Sequence, residues 1–449
     1  MSSLARMWNG LQLWFGMILW ALISVAHATG LESPEWRGPG GQGHSAAKGI
    51  PTSWGESQNV AWKCPLPGRA WSSPVIDGDQ VWLSTAIETA AASEDAARRL
   101  KANTGDQPLT LLEKVELRAL CVDRKSGKLL QQIPLITERE PQWVHQLNSY
   151  ASPTPVLEKG RAYFHFGTFG TFGVDTRSGK VLWGNTNLHI MHENGPGSSP
   201  ILSGDLLVFH LDGSDTQSIV ALSKKTGQVA WRTPRSGKMS DHPQLRKSYA
   251  TPALVTWDGR QAILSQGADW LYAYEPAQGH ELWKIAYGSL GFSLSSRAVL
   301  GHGMIFLATG YSRSEIQAIR LGGNGVVPSH AWKYAKGAPT MSSPLLVGDE
   351  LYFVSDSGGM WTCLDAHTGQ EHYRERLGGS HSASPLLVDG NIFLPSREGV
   401  TSVIAPGKQF KLVASNTLPG RIMATPTAVG DSLYLRTDTA LYRISAQAR

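Results

Sequence analysis

The stretch Ser342-Ser343-Pro344-Leu345-Leu346-Val347-Gly348-Asp349-Glu350-Leu351-Tyr352-Phe353, continued by Thr362-Cys363-Leu364-Asp365-Ala366-His367-Thr368-Gly369, decides the fold. Apolar residues alternate with period two on both sides of a Gly-Asp pair, which predicts two short strands around a tight turn. The continuation predicts a third strand ending at Leu364-Asp365-Ala366 and a Thr-Gly turn into a fourth. One such unit is a four-stranded antiparallel meander.

The opening of this unit recurs as Ser73-Pro74, Thr154-Pro155, Ser199-Pro200, Thr251-Pro252, Ser343-Pro344, Ser384-Pro385 and Thr425-Pro426. An eighth copy, Ser295-Ser296-Arg297, lacks the proline. Successive copies lie 81, 45, 52, 45, 47, 41 and 41 residues apart. A period in the forties with four strands per unit predicts an all-β, eight-bladed β-propeller of four-stranded antiparallel blades.

A second landmark supports the count. The turn between third and fourth strands recurs at Val122 to Gly127, Val174 to Gly179, Leu222 to Gly227, Tyr274 to Gly279 and Leu364 to Gly369, with Trp183, Trp231, Trp283 or Tyr373 four residues after the glycine. This Asp-x-x-Thr/Ser-Gly-x-x-x-Trp pattern resembles the PQQ-type propeller repeat shared by quinoprotein dehydrogenases and BamB-like propellers. The resemblance covers nearly the whole chain after its leader. It implies the fold and leaves the activity open, because the repeat is structural.

Residues 1–28 read as a signal peptide: Arg6, an apolar run from Leu11 to Val25, and the small-x-small triplet Ala26-His27-Ala28. The run is shorter than the roughly 20 residues of a membrane span, so no span is expected after cleavage. No cysteine follows it to carry a lipid, and a periplasmic or secreted location is expected. Residues 29–58 form an N-terminal arm, and 59–449 the propeller. In the arm, Gly38-Pro39-Gly40-Gly41-Gln42-Gly43 satisfies Gly-x-Gly-x-x-Gly, but no strand precedes it and no helix follows, so it reads as an arm laid across the ring rather than a dinucleotide loop. The last unit supplies only three strands, and residues near Val60 to Pro65, with Trp62, are expected to complete it and close the ring.

The long first step holds an insertion near 87–116. Ala90 to Lys101 is rich in helix formers and predicts a short helix between the second and third strands of the first blade.

Gly 48 and Pro 25 supply turns, and Trp 16 supplies flat side chains for packing sheets face to face. The net charge of +5 is scattered rather than striped, which excludes a nucleic-acid interface. The odd set Cys64, Cys121 and Cys363 reads as small core residues, with Cys64–Cys121 the one pairing open to test.

In a ring of meanders, the second-to-third-strand loops and the blade-to-blade linkers share one face. The short Gly-Asp and Thr-Gly turns occupy the other. The irregular face gathers the candidate ligand-binding residues: Arg69, Trp71, His145, Asn148, Tyr150, His192, Glu193, Asn194, Asp212, Asp215, His242 and Arg421. They are expected to converge on one channel mouth and to suit a polar ligand held against an aromatic floor.

Gly-x-Ser-x-Gly, the phosphate-binding Gly-rich loop and His-Glu-x-x-His are absent from the sequence. Two function classes follow. The first is a monomeric extracytoplasmic scaffold that binds a protein, peptide or sugar through its irregular face. The second, implied by the resemblance, is a PQQ-dependent oxidoreductase with calcium. Dehydrogenases of that type cover the quinone with a disulfide between adjacent cysteines, and none are adjacent here. Trp71, Trp270 or Trp361 are the flat rings for stacking, and Glu193, Asn194 or Asp212 the calcium donors.

Overall fold

The expected meander repeats eight times in the computed structural model, which describes residues 24–25 and 32–446 apart from 102, 104–106, 258, 289–290 and 323–326. The quoted stretch forms blade 6, with strands Leu345–Val347, Glu350–Val354, Met360–Asp365 and Glu371–Arg376 in antiparallel order. Blades 1 to 5 and 7 have the same sequential order, each starting with a three- to five-residue inner strand. In blade 8 the chain supplies Thr427–Val429, Ser432–Arg436 and Ala440–Ser445, and the outermost strand is Val60–Pro65. It pairs antiparallel from Val60 opposite Ile444 to Pro65 opposite Ala440, so the ring is closed as expected.

Two sequence signatures acquire physical reasons. The Ser/Thr-Pro dipeptides build a girdle around the channel. The backbone N–H of Ser73 donates to Thr154 Oγ1 at 2.9 Å, that of Thr154 to Ser199 Oγ, and that of Ser199 to Thr251 Oγ1. Beyond blade 5 the N–H of Arg297 donates to Ser343 Oγ, Ser343 to Ser384 and Ser384 to Thr425. The proline follows because this corner is extended and the proline nitrogen has no donor to satisfy. The register in blade 5 is corrected by one residue: Arg297, two before Val299, takes the Ser/Thr position, rather than Ser296.

In four blades the tryptophan of the fourth strand latches onto the next blade, whereas Trp283 of blade 4 makes no such bond. Trp183 Nε1 donates to Lys224 O at 2.8 Å, Trp231 to Pro276 O at 3.2 Å, Trp332 to Ala366 O at 2.9 Å, and Trp62 to Arg124 O at 3.0 Å. The indole lies flat on the turn glycine: a Cβ on Gly227 would stand 2.3 Å from Trp183. Glycine is required there by the close approach and by a φ of +71°. Asp123, Asp175 and Asp365 cap the same turns by accepting from Ser126, Ser178 and Thr368. The repeat motif is therefore an interblade device.

The arm does more than lie across the ring. From Glu32, paired with Arg124 on the turn face, it dips into the channel and leaves on the same face, where Gly49 N–H donates to Asp389 at 2.8 Å. Inside, Trp36 Nε1 reaches Thr425 Oγ1, Arg37 donates to Pro344 O at 2.7 Å, and His44 bonds Leu346 O at 2.7 Å. His44–Ser45 adds a parallel strand to blade 7. The glycines of the Gly-x-Gly run serve this packing, since a Cβ on Gly41 would fall 1.6 Å from the Arg297 guanidinium.

The first blade's long strands, Gln80–Ala90 and Leu112–Asp123, carry the insertion beyond the ring, and its helix spans Ser93–Leu100. Acidic Glu94 and Asp95 start that helix and Arg98 and Arg99 end it, matching its dipole. Arg99 pins it to the third strand of blade 1 through Leu112 O and to the blade 1–2 linker through Pro141 O. All three cysteines are buried and free, and burial pushes the Cys121 and Cys363 thiols up to about 12. Most of the expected leader, 1–23 and 26–28, lies outside the described residues. Its Ser24–Val25 pairs with Thr256 and Val255 of blade 4. Among the described residues no helix is long and apolar enough to cross a membrane.

Candidate functional site

The linkers and second-to-third-strand loops interlock on the irregular face, and most candidate residues are the locks. Arg69 N–H donates to Ala86 O, while its guanidinium lies over the Trp71 ring at 5.5 Å and donates to Asn148 O at 2.8 Å. Trp71 Nε1 donates to Leu147 O, and Asn148 Nδ2 to Asn194 O and Pro196 O. His145 N–H also donates to Asn194 O, and its Nδ1 accepts from Leu147 N–H. Arg69, Trp71, His145, Asn148 and Asn194 thus form one continuous surface over blades 1 to 3. Tyr150 lies beneath it, fully buried, with its hydroxyl on Gln142 O at 2.8 Å.

A second group surrounds blade 3. His192 Nε2 accepts from Thr168 N–H at 2.7 Å, and burial pushes the imidazole down to about 3. Glu193 accepts from Ser214 Oγ at 2.8 Å, and Asp215 from Met191 N–H at 2.9 Å. Asp212 is held by Arg235 in a two-pronged ion pair, Nε to Oδ1 at 3.1 Å and Nη2 to Oδ2 at 2.8 Å, with both side chains 1% exposed. Arg235 is completed by Ser265 Oγ and by the faces of Tyr272 and Tyr274. His165, His192, His210 and Asp212 line a small cavity of about 10 Å³, room for one water.

The remaining two stand apart. His242 is exposed ahead of the short turn Pro243–Arg246. Arg421 is exposed across the ring, its N–H on Asp438 Oδ1 at 3.0 Å.

A recess of about 450 Å³ opens on the same face beside blade 4. Trp270 and Phe292 wall it, with Met239 and Leu245 from the blade 3–4 linker and the polar groups of Lys238 and Asp269. Trp270 is fixed by Nε1 donating to Lys238 O at 2.9 Å and by Lys284 over its ring. Burial pushes the Asp269 carboxyl above its usual range. Asp269 sits at φ +64°, a strained conformation for a residue with a side chain. Trp270 was legible in the sequence as a flat ring for stacking. Met239, Leu245 and Phe292 were not, and apolar side chains in linkers outside any strand pattern are the signal that marks them.

Two of the quinone and calcium candidates are committed within the fold. Trp361 is fully buried, 5.5 Å from Tyr352 in a stacked pair, and cannot meet a ligand. Asp212 is committed through both oxygens to Arg235, and Glu193 Oε1 accepts from Ser214, so Asp212 is not free to serve a hard cation.

Comparison with known proteins places this geometry. Residues 52–189 and 192–362 match the family described as outer membrane protein assembly factor BamB. The protein of that name from Legionella pneumophila (strain Paris) is 25% identical over 183 residues, 38% of this chain and 44% of that protein, so the match spans less than half of the relative's length. The crystal structure of BamB from Moraxella catarrhalis aligns with a TM-score of 0.52 at 14% identity, covering 75% of this chain and 99% of that one. A europium-containing methanol dehydrogenase aligns at 0.50 and 10% identity, covering 89% and 88%. At these identities the structural likeness is one of fold.

Proposed function

Since this chain belongs to the family of the outer membrane protein assembly factor BamB, we propose that it is an extracytoplasmic docking scaffold for a protein partner of outer-membrane assembly, held on the irregular face. The carrying observation is the recess beside blade 4. Its 450 Å³, an aromatic wall of Trp270 and Phe292, and one acid and one base at the rim suit an apolar side chain of an extended peptide. The partner's neighbouring groups meet the surface of Arg69, Trp71, His145 and Asn148. Because the loops are already tied by hydrogen bonds, little ordering entropy opposes docking. A catalytic reading finds no support in groups already engaged: His192 Nε2, Glu193 Oε1 and both Asp212 oxygens are bound within the fold.

The test is site-specific photo-crosslinking in cells. A photoreactive residue at Tyr311, 62% exposed on the neighbouring loop of that face, is expected to yield adducts with outer-membrane assembly proteins. The same residue at Lys125, on the turn face, is expected to yield none. Adducts from Lys125 alone would overturn the assignment of the face.

A further inference from the structure

On the turn face, far in function from the docking surface, two blades bring a chelating set together. His302 occupies the first inner turn of blade 5, between Val299–Gly301 and Met304–Ala308. Asp349 occupies the same turn of blade 6, and His367 the third-to-fourth-strand turn of blade 6. Asp349 Oδ1 is 3.2 Å from His367 Nε2 and 3.5 Å from His302 Nε2. The two imidazole centroids are 4.3 Å apart. The donor atoms of all three lie within 4.8 Å of one another.

The geometry points to a divalent transition-metal site of the zinc class at His302, Asp349 and His367. Ligand atoms at about 2.0–2.2 Å from a tetrahedral ion stand about 3.4 Å from each other, which is the separation seen for both imidazole–carboxylate edges. Two neutral imidazoles and one carboxylate are the donor chemistry such an ion takes, leaving the fourth position to water or to a group from outside. His302 Nε2 lies 2.8 Å from Gly348 O, which orients its ring toward the blade 6 turn; binding the ion exchanges that N–H···O bond for the metal bond.

Two features set these residues apart from the ordinary surface pairing of the repeat. Blade 1 has Asp79 and Lys125 where blade 6 has Asp349 and His367, at 3.5 Å, a simple ion pair. Blade 6 replaces that lysine with a ligand. His302 stands where blades 1, 3, 6 and 8 carry Gly78, Gly204, Gly348 and Gly430, all at positive φ. At φ +54° His302 is one of two side chains in this turn position, the other being Asp389 of blade 7 at φ +49°, where the remaining positive-φ copies are glycine.

The experiment is calorimetric titration of the untagged full chain with zinc chloride alone. One equivalent is expected to bind. Affinity is expected to fall at least about tenfold in His302→Gly and in His367→Ala, and to stay unchanged in His280→Ala, an exposed histidine of the blade 4 turn. His302→Gly relieves the positive φ, so its melting temperature without metal is expected to equal or exceed that of the parent, which separates loss of a ligand from loss of fold. Zinc is expected to raise the melting temperature of the parent and not of the variants. No saturable binding by the parent, or parent-like binding by the His302→Gly, His367→Ala double variant, overturns the site.

Discussion

The Arg297 guanidinium meets the Glu35 carboxylate at 3.1 Å inside the central channel, while the Arg297 backbone N–H keeps its place in the girdle on Ser343. One residue thus joins the ring to its plug. Its side chain is 2% exposed and that of Glu35 13%, so removing either partner strands a buried charge. Arg297→Ala is expected to lower stability by about 3 kcal/mol in urea unfolding. Arg297→Ser with Glu35→Gln is expected to recover part of that, because the serine supplies the missing hydroxyl acceptor to the girdle. A single variant as stable as the parent would show that the arm is not held by this pair.

Acid should destabilise this propeller through its interior. Burial pushes His165 and His192 down to about 3, and His210 is lowered by burial with Arg235 adding to it. The unfolded chain takes up these protons near pH 6.5 and the folded chain does not. Stability is therefore full above about pH 6.5 and falls as the pH drops towards 3, by about 2 kcal/mol per histidine at pH 5. Urea midpoints at pH 7.5 and 5.0 check the slope, and His192→Gln should make it shallower. Equal slopes would mean that His192 is solvated in the folded state.

The interblade latch predicts a strong effect from one methyl group. Gly227→Ala places a Cβ 2.3 Å from Trp183 at a positive φ, and a loss of about 2 kcal/mol or more is expected in thermal or urea unfolding. The same change at Gly390, where a Cβ meets nothing within 4 Å, should cost less.

Deleting residues through Pro65 removes the outermost strand of blade 8 and the plug together. Residues Ala440 to Ile444 would lose their ladder partners and leave a bare edge. Size-exclusion chromatography is expected to show aggregation, and a monomeric, equally stable truncation would refute closure by this strand.

The Ala26-His27-Ala28 triplet predicts processing. Amino-terminal sequencing of the protein recovered from outside the cytoplasm should begin at or near Thr29. Recovery of the full-length chain in the membrane fraction would favour an anchor.

Blade count, strand order and the closing strand were legible because each rests on a local pattern repeated many times. The girdle position of Arg297 was misplaced by one because Ser295-Ser296 mimics the Ser-Ser of the other copies, and only the bond to Ser343 sets the register. The face of the candidate residues follows from meander topology alone. Their occupations do not: nothing in the sequence near Asp212 announces Arg235, 23 residues on, as its partner. The recess escaped notice because its wall is assembled from two linkers and one strand end. His302 and His367, 65 residues apart in chain order, meet only through the contact between adjacent blades.

The plug also sets an order of events during folding. Trp36 and Thr425 are 389 residues apart, and Val60–Pro65 pairs with Ala440–Ser445, the strand synthesised last. A ribosome therefore makes the sealing segment first and must finish the eighth blade before that segment has anything to seal. Loop closure over such a span has a high entropic cost and comes late. Until then the row of blades is open at both ends, each end a sheet edge able to pair with another chain. For this protein the vulnerable interval is the wait between emergence of the first blade and arrival of the last.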